Sequence, residues 1–362
     1  MLLASMMNYR SPEVVRTVTE YGKDMLVLER NVVTPESHEF IRYFQGLGIP
    51  ICLDWDDAYQ ILPVANPAFP FWHLNKGNLD PPPLEMLRRA LKMADGFTSP
   101  SKRILEDWQE AADGRTFWLP NYAPRGWYES LPGPENNGRV VIGWGGSVSH
   151  YDSWHGSGLY EAAKRVAEKR PEVLFRIHGN DPRIWAHLPV PQQNKEMVSG
   201  VPPEQWPQLL SKFDIGVAPL HGEYDQRRSW IKGLEYSLAA VPWLATAGSP
   251  YADLWEALDA NEATKGAGVA VGAHNPVTPG EVADNVDAWE AAILAAIDDL
   301  PARKAKAKAA RAVALERWTS EANVESTVAL YRRIAAGARN AAILPGIMYI
   351  NWPIQAGTAL SL

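Results

Sequence analysis

A chain of 362 residues, 46% apolar and 21% charged with no low-complexity tract, is long enough for two domains that each bury a core, and its composition excludes a disordered polymer. The net charge of −7 argues against a protein that grips nucleic acid mainly through its phosphates, and no run approaches the roughly 18 to 20 apolar residues of a membrane span. The single cysteine, Cys52, allows no internal disulfide. The opening MLLASMMNYRSPE has no basic n-region and meets a proline before an apolar run forms, so a cytoplasmic protein is expected. Fifteen tryptophans are several times the usual share; core filling is the default reading, stacking on sugars or bases the alternative.

In chain order, VVRTVTEY has a helical period and DMLVLER reads as a short apolar strand. TPESHEFIRYFQGLG opens with Thr34 as N-cap and Pro35 at N1, keeps Phe40, Ile41, Phe44 and Leu47 on one face, and stops at Gly48. IPICLDW is a buried strand. After Pro81 to Pro83 come the helix LEMLRRALKMAD, the strand GFTS, the helix SKRILEDWQEAA and the strand TFWLPNY. Alternation of this kind implies a parallel sheet covered on both faces. SLPGPENNG, residues 130–138, has the composition of a linker. Alternation then restarts with RVVIGW, GLYEAAKRVAEKR, VLFRIHG, EQWPQLLSKF, IGVAPL, WIKGLEYSLAA and PWLATA. From Asn285 to Ala336 the pattern is helical, and the cations of ARKAKAKAAR scatter around the helix as on a solvated face. The expected divisions are 1–133, 134–320, a helix in 321–340 that returns to the first domain, and an apolar tail, 341–362, packed on the body or on a partner.

One stretch concentrates charge at a helix start: EYDQRRSWIKGLEY, residues 223–236, directly after the strand IGVAPL. In an open parallel sheet, ligands sit beyond the carboxyl ends of the strands, where loops enter helix N-termini. Such a terminus offers unpaired N–H groups and partial positive charge. Arg228 and Lys232 would make it a strong anion site, with a diphosphate as the fitting ligand. Glu235, one turn on, is placed to accept hydrogen bonds from vicinal hydroxyls such as those of a ribose. The alternative is an ordinary ion-pair network of Arg228 and Lys232 with Glu223, Asp225 and Glu235.

The segment FDIGVAPLHGEYDQRRSWIKGLEYSLAAVPWLA resembles the donor-binding segment of retaining GT-B glycosyltransferases, the group that includes sucrose synthases and bacterial mannosyl- and glucosyltransferases. VVIGWGGSVSHYDSW resembles the glycine-rich turn that opens their nucleotide-binding domain. FRIHGND and VSGVPPEQWPQLLSKFDIGVAP resemble the strand, base-contacting loop and helix that follow. GIPICLDWDDAYQILP, ADGFTSPSKRIL and WLPNYAP are similar to acceptor-domain segments of a subgroup with an Asp-rich turn, found in phage and bacteria. The likeness runs over roughly residues 20 to 336. It implies an α/β protein of GT-B type, two doubly wound, Rossmann-like parallel-sheet domains facing a cleft, the second holding a UDP- or GDP-sugar and the first the acceptor.

The resemblance assigns Arg228 and Lys232 to the diphosphate, Glu235 to the ribose, Gly145, Gly146, Ser147, His150, Gly179 and Ser229 to the nucleotide's surroundings, and the backbone around Val201 to the base. Members commonly carry two glutamates eight positions apart, but Arg227 stands eight before Glu235. Pro219-x-x-x-Glu223 reproduces the usual proline-to-glutamate spacing, so a four-residue insertion would make Glu223 the partner of the sugar hydroxyls. Many members also have an arginine and a lysine in the glycine-rich turn, where this chain has Trp144 and His150. With an ordinary pKa of about 6.5, His150 would supply little charge at neutral pH.

DWDD, Asp54 to Asp57, is like the Asp-x-Asp metal motif of another glycosyltransferase fold, and the His150 to His155 spacing is metal-like, but cations and a helix terminus are expected to do a metal's work here, with no metal or other cofactor. Asp56 falls where related enzymes hold a polar group against the donor sugar. The expected activity is transfer of a hexosyl group, with retention, to a hydroxyl of a glycan, a lipid-linked intermediate or a small molecule. The alternatives are a hydroxymethylated base in DNA as acceptor and a non-catalytic binder of sugar nucleotides.

Overall fold

The computed structural model describes residues 10–21, 25–30, 32–135, 138–273, 278–338 and 347–351. The leader reading of the first residues lies outside them, as does the apolar tail apart from 347–351. The strands are β1 Met25–Glu29, β2 Ile51–Asp54, β3 Gly96–Ser99, β4 Thr116–Trp118, β5 Val140–Gly145, β6 Val173–His178, β7 Lys195–Val198, β8 Ile215–Ala218, β9 Trp243–Thr246, β10 Gly268–Val271 and β11 Ile347–Asn351. They form two sheets, β11-β1-β2-β3-β4 and β10-β9-β8-β5-β6-β7, and every pairing within each is parallel. β7, β10 and β11 are short strands that the chain-order reading passes over.

The first compact unit comprises residues 1–120 and 324–362, the second residues 121–323. In the first, Thr34 caps the helix Pro35–Gly46 by accepting from the Ser37 amide at 3.2 Å, and Gly48, at φ 79°, turns the chain out of it. Phe40, Ile41 and Phe44 are buried as the period requires. Leu47 is not: it is 46% exposed, because it follows the last helical residue and leaves the apolar stripe as the helix unwinds. The helix Val324–Ala336 lies against β3 so closely that a Cβ on Gly96 would sit 2.5 Å from Ile334 Cγ2. Cys52 packs with Met25, Val27, Tyr331 and Ile334, and burial pushes its thiol far above the ordinary range, so it serves as a small apolar side chain.

Residues 121–133, which composition places in the first domain, are tied to the second unit. Asn121 donates to Ser229 Oγ at 2.8 Å, Trp230 Nε1 donates to Asn121 O at 2.9 Å, and Ala123 and Tyr128 are buried in the second unit's core. One face of its sheet is covered by the helices Leu159–Lys169 and Pro279–Asp298 around Trp144, Trp154 and Trp289. The other is covered by the helices Ile231–Leu238 and Leu300–Arg317 around Leu234, Tyr236 and Trp243. Nine tryptophans of the described residues are buried, so the default reading of that residue type holds for most of them. The basic run of the helix Leu300–Arg317 is less solvated than its scatter suggests. Lys304 pairs with Asp214 at 2.5 Å, and Arg311 donates to the carbonyls of Leu238 and Tyr128, capping the end of the neighbouring helix. No helix of the described residues is long and apolar enough to cross a membrane.

Candidate functional site

Chain order reverses in the second sheet at the junction of β5 and β8, whose carboxyl ends make the topological switch point of an open α/β sheet. Two loops meet there. The first leaves β5 as Gly145-Gly146-Ser147 and passes through a turn, Val148–His150, into the short helix Tyr151–Gly156. The second leaves β8 and reaches the N-terminus of the helix Ile231–Leu238 through Arg227, Arg228, Ser229 and Trp230.

Glycine is needed in the first loop because of what crosses it. A Cβ on Gly145 would lie 2.1 Å from Trp206 Cη2, one on Gly146 would meet Trp144 at 2.8 Å and Lys232 Nζ at 3.0 Å, and one on Gly179 would lie 2.7 Å from Gly146 O. Lys232 donates to Gly145 O at 2.5 Å and stands 5.0 Å from the centre of the Trp144 ring. Burial, with Arg228 adding to it, brings its ammonium down to about 8 against the pull of Glu235 and Asp225. Arg228 donates through Nε to Asp225 Oδ1 at 2.6 Å and through Nη2 to Ser149 O at 3.2 Å, its guanidinium carbon 4.8 Å from the Tyr224 ring centre. Both cations therefore bridge from the β8 loop to the β5 loop.

Glu235 accepts from Trp206 Nε1 at 3.2 Å; burial raises its carboxyl above the usual range, opposed by Lys232 and by that hydrogen bond. His150 is buried, and its Nδ1 has no partner among the described residues. Burial and the nearby Arg228 and Lys232 hold its pKa well below 6.5, so it is a neutral imidazole and adds no charge. Ser147 Oγ lies 2.7 Å from Ser149 Oγ, and Ser229 accepts from Asn121. Val201 is in the loop after β7, partly buried.

The structure thus gathers Gly145, Gly146, His150, Arg228, Lys232 and Glu235 at the switch point. Glu223 is placed differently: its side chain is 57% exposed and pairs with Arg227 at 2.9 Å, an i,i+4 contact on the surface. Asp56 belongs to the first unit, just past the end of β2. Half of its side-chain surface reaches solvent, yet crowding by protein atoms and the neighbouring Asp57 and Asp54 push its carboxyl up to about 6, against Arg30 at 3.8 Å. Asp54 accepts from Thr98 Oγ1 at 2.5 Å, so the first two acids of DWDD's odd positions face different partners. Among the described residues no three His, Cys, Asp or Glu side chains form a group that could hold a metal ion.

Two residues of the site, Trp206 and Ser149, escape a reading of the sequence, and a third, Asp225, enters it only as an ion-pair partner of Arg228. Trp206 roofs Gly145 and bonds Glu235, Ser149 accepts from Arg228, and Asp225 is a buried carboxylate on which both loops converge. An aspartate three before an arginine was the one local signal, and it reads equally well as a surface pair.

The same architecture occurs in a glycosyltransferase from Rickettsia africae, with a TM-score of 0.57 and 13% identity over 90% of this chain and 83% of that one. It occurs in a UDP-forming α,α-trehalose-phosphate synthase from Burkholderia xenovorans, with a TM-score of 0.55 and 14% identity over 89% and 77%. The fold is GT-B. A pneumococcal O-GlcNAc transferase, GtfA, solved with UDP and GlcNAc, matches with a TM-score of 0.55 and 12% identity over 88% of this chain and 59% of its own length, so this chain spans less than two thirds of that protein. No family model and no curated protein matches the chain.

Proposed function

We propose that this chain is a glycosyltransferase that binds a UDP- or GDP-sugar at the switch point of its second unit and transfers the sugar to an acceptor hydroxyl with retention of configuration. The observation that carries the reading is that Arg228 and Lys232, both at the N-terminus of the helix Ile231–Leu238, each reach across to a carbonyl at the end of β5 or in the loop after it. Cations there disfavour the helix by roughly 0.3 to 1 kcal/mol each, and an anion between them reverses the sign. The structural neighbour solved with UDP and GlcNAc and the UDP-forming synthase support a nucleoside diphosphate as that anion.

In the reaction the bond from the anomeric carbon to the β-phosphate oxygen breaks and its electron pair stays on that oxygen. Arg228, Lys232 and the helix N–H groups stabilise the charge that develops there. The acceptor oxygen bonds the anomeric carbon on the same face, and its proton passes to the departing phosphate, so no protein nucleophile is required. Glu235 would accept from the ribose hydroxyls, with Trp206 fixing one of its oxygens. The backbone at Val201 would meet the base, and Glu223 the sugar. The carboxylates at the ends of β1 and β2, Glu29 and Asp54, and the Asp56 and Asp57 that come just after β2 favour a polyhydroxyl acceptor over a phosphodiester one.

The test is incubation with a panel of nucleotide sugars and acceptors, including hydroxymethylated DNA, scored for free UDP or GDP and for the anomer formed. Transfer is expected to survive excess EDTA. Complete loss that manganese restores in the wild type but not in Asp54→Asn or Asp56→Asn would instead make DWDD a metal site. A thermal shift with a nucleotide sugar but no release of diphosphate would leave a binder in place of an enzyme.

A pH dependence follows from Lys232. Its ammonium is charged below about 8 and neutral above. The last ionisation of a phosphate lies near pH 6, so above pH 7.5 the charge of the diphosphate no longer changes. Affinity for UDP or GDP is therefore expected to fall as pH rises from 7 to 9, and Lys232→Arg, which stays charged, should flatten the profile. A wild-type affinity that is level over this range would remove Lys232 from the diphosphate.

A further inference from the structure

Asp225 has no part in the reaction as written, yet three donors from the two segments that follow β5 and β8 meet on its carboxylate, which is 2% exposed. Ser153 Oγ, on the helix Tyr151–Gly156, donates to Oδ2 at 2.6 Å, and the His221 amide donates to the same oxygen at 2.8 Å. Arg228 Nε donates to the other oxygen, Oδ1, at 2.6 Å. The two oxygens thus face different ways: one is anchored to the scaffold of both loops, the other grips the guanidinium. The anchor is itself rigid, because Gly156 admits the His221 ring where a Cβ would lie 2.2 Å from it. On the far side, Ser149 O and the Tyr224 ring complete the hold on a planar fork that has no freedom to rotate once its Nε edge is fixed.

A carboxylate beside the proposed diphosphate works against anion binding by its charge alone, so its place in the site calls for another contribution. We propose that Asp225 is a positioning residue, which transmits the geometry of Ser153 and the His221 amide to Arg228 and sets the guanidinium plane against the diphosphate. The proposal rests on the donor reading above. An asparagine cannot replace it, because an amide presents an acceptor on one side and a donor on the other. It can satisfy the guanidinium or the two scaffold donors, not both.

The experiment is a double-mutant cycle in UDP and GDP affinity, read by calorimetry, which needs no turnover. Asp225→Asn is expected to lower affinity about tenfold when Arg228 is present and less than about twofold in the Arg228→Lys background, where no fork remains to be set. In steady state the loss should appear in kcat/KM for the donor, with KM for the acceptor unchanged. An equal loss in both backgrounds would mean that Asp225 merely holds the loops together, and would overturn the proposal. Ser153→Ala, which leaves both charges in place and removes one anchor, carries the same cycle if Asp225→Asn does not fold; its expected loss is about threefold and again confined to the arginine background. Failure of the wild type to bind UDP or GDP would overturn the donor reading and this inference together, whereas wild-type binding with additive losses overturns the inference alone.

Discussion

Arg228→Ala is expected to weaken UDP or GDP binding by one to two orders of magnitude and to reduce transfer below detection. A charge-assisted hydrogen bond to phosphate is worth about 1.5 to 3 kcal/mol, roughly tenfold to 150-fold in affinity, and its loss is larger still where charge develops in the transition state. The variant also strands the buried Asp225, which keeps only the Ser153 hydroxyl and the His221 amide. A lower melting temperature is therefore expected as well, of the size that follows from about 1 to 3 kcal/mol, and binding must be measured well below it. Arg228→Lys separates the two contributions: it restores charge without the fork, so stability should recover further than affinity does. If Arg228→Ala binds UDP and GDP as tightly as the wild type, the anion site lies elsewhere and the arginine belongs to the ion-pair network that the sequence also allowed.

What could be read from the sequence was what is encoded within a few residues. Thr34, Pro35 and Gly48 bound their helix because capping and a left-handed glycine are local events. The alternation of strand and helix gave two parallel sheets for the same reason, and the charge at Arg228 and Lys232 was visible beside a strand end. Contacts between distant segments were not visible. The requirement for glycine at 145 and 179 comes from Trp206 and from Gly146 O. The carboxylate that holds Arg228 is anchored 72 residues away at Ser153, and Arg228's second contact, Ser149, is 79 residues away. Composition could mark 130–138 as a linker, but only the hydrogen bonds of Asn121 show that the chain joins the second unit before it reaches that stretch. Exposure follows the same rule: Glu223 stands at the expected spacing from Pro219, while its pairing with Arg227 depends on how the short helix Gly222–Asp225 is turned.

Glu235→Gln should weaken the bare nucleoside diphosphate and the intact donor alike, because the ribose it would hold is common to both. The carboxylate is partly buried, already bonded to Trp206, and raised in pKa by that burial, so its charge is maintained at a cost that a ligand's hydroxyl donors would relieve. A glutamine can keep the bond to the indole only by turning its amide nitrogen toward the ribose. A mismatched buried acceptor costs about 1 to 3 kcal/mol for ligands that present the hydroxyl. Glu223→Gln is expected to behave differently, lowering affinity for the intact donor while barely changing that for UDP or GDP, because it is proposed to meet the sugar alone. Its pairing with Arg227 at an exposed position is worth little to stability, so the fold should not respond. Calorimetry of the two variants against both ligands decides between roles. Equal losses for diphosphate and donor in Glu223→Gln would mean that Glu223 acts by holding Arg227. An unchanged diphosphate affinity in Glu235→Gln would take the ribose away from Glu235 and leave its carboxylate as a structural partner of Trp206.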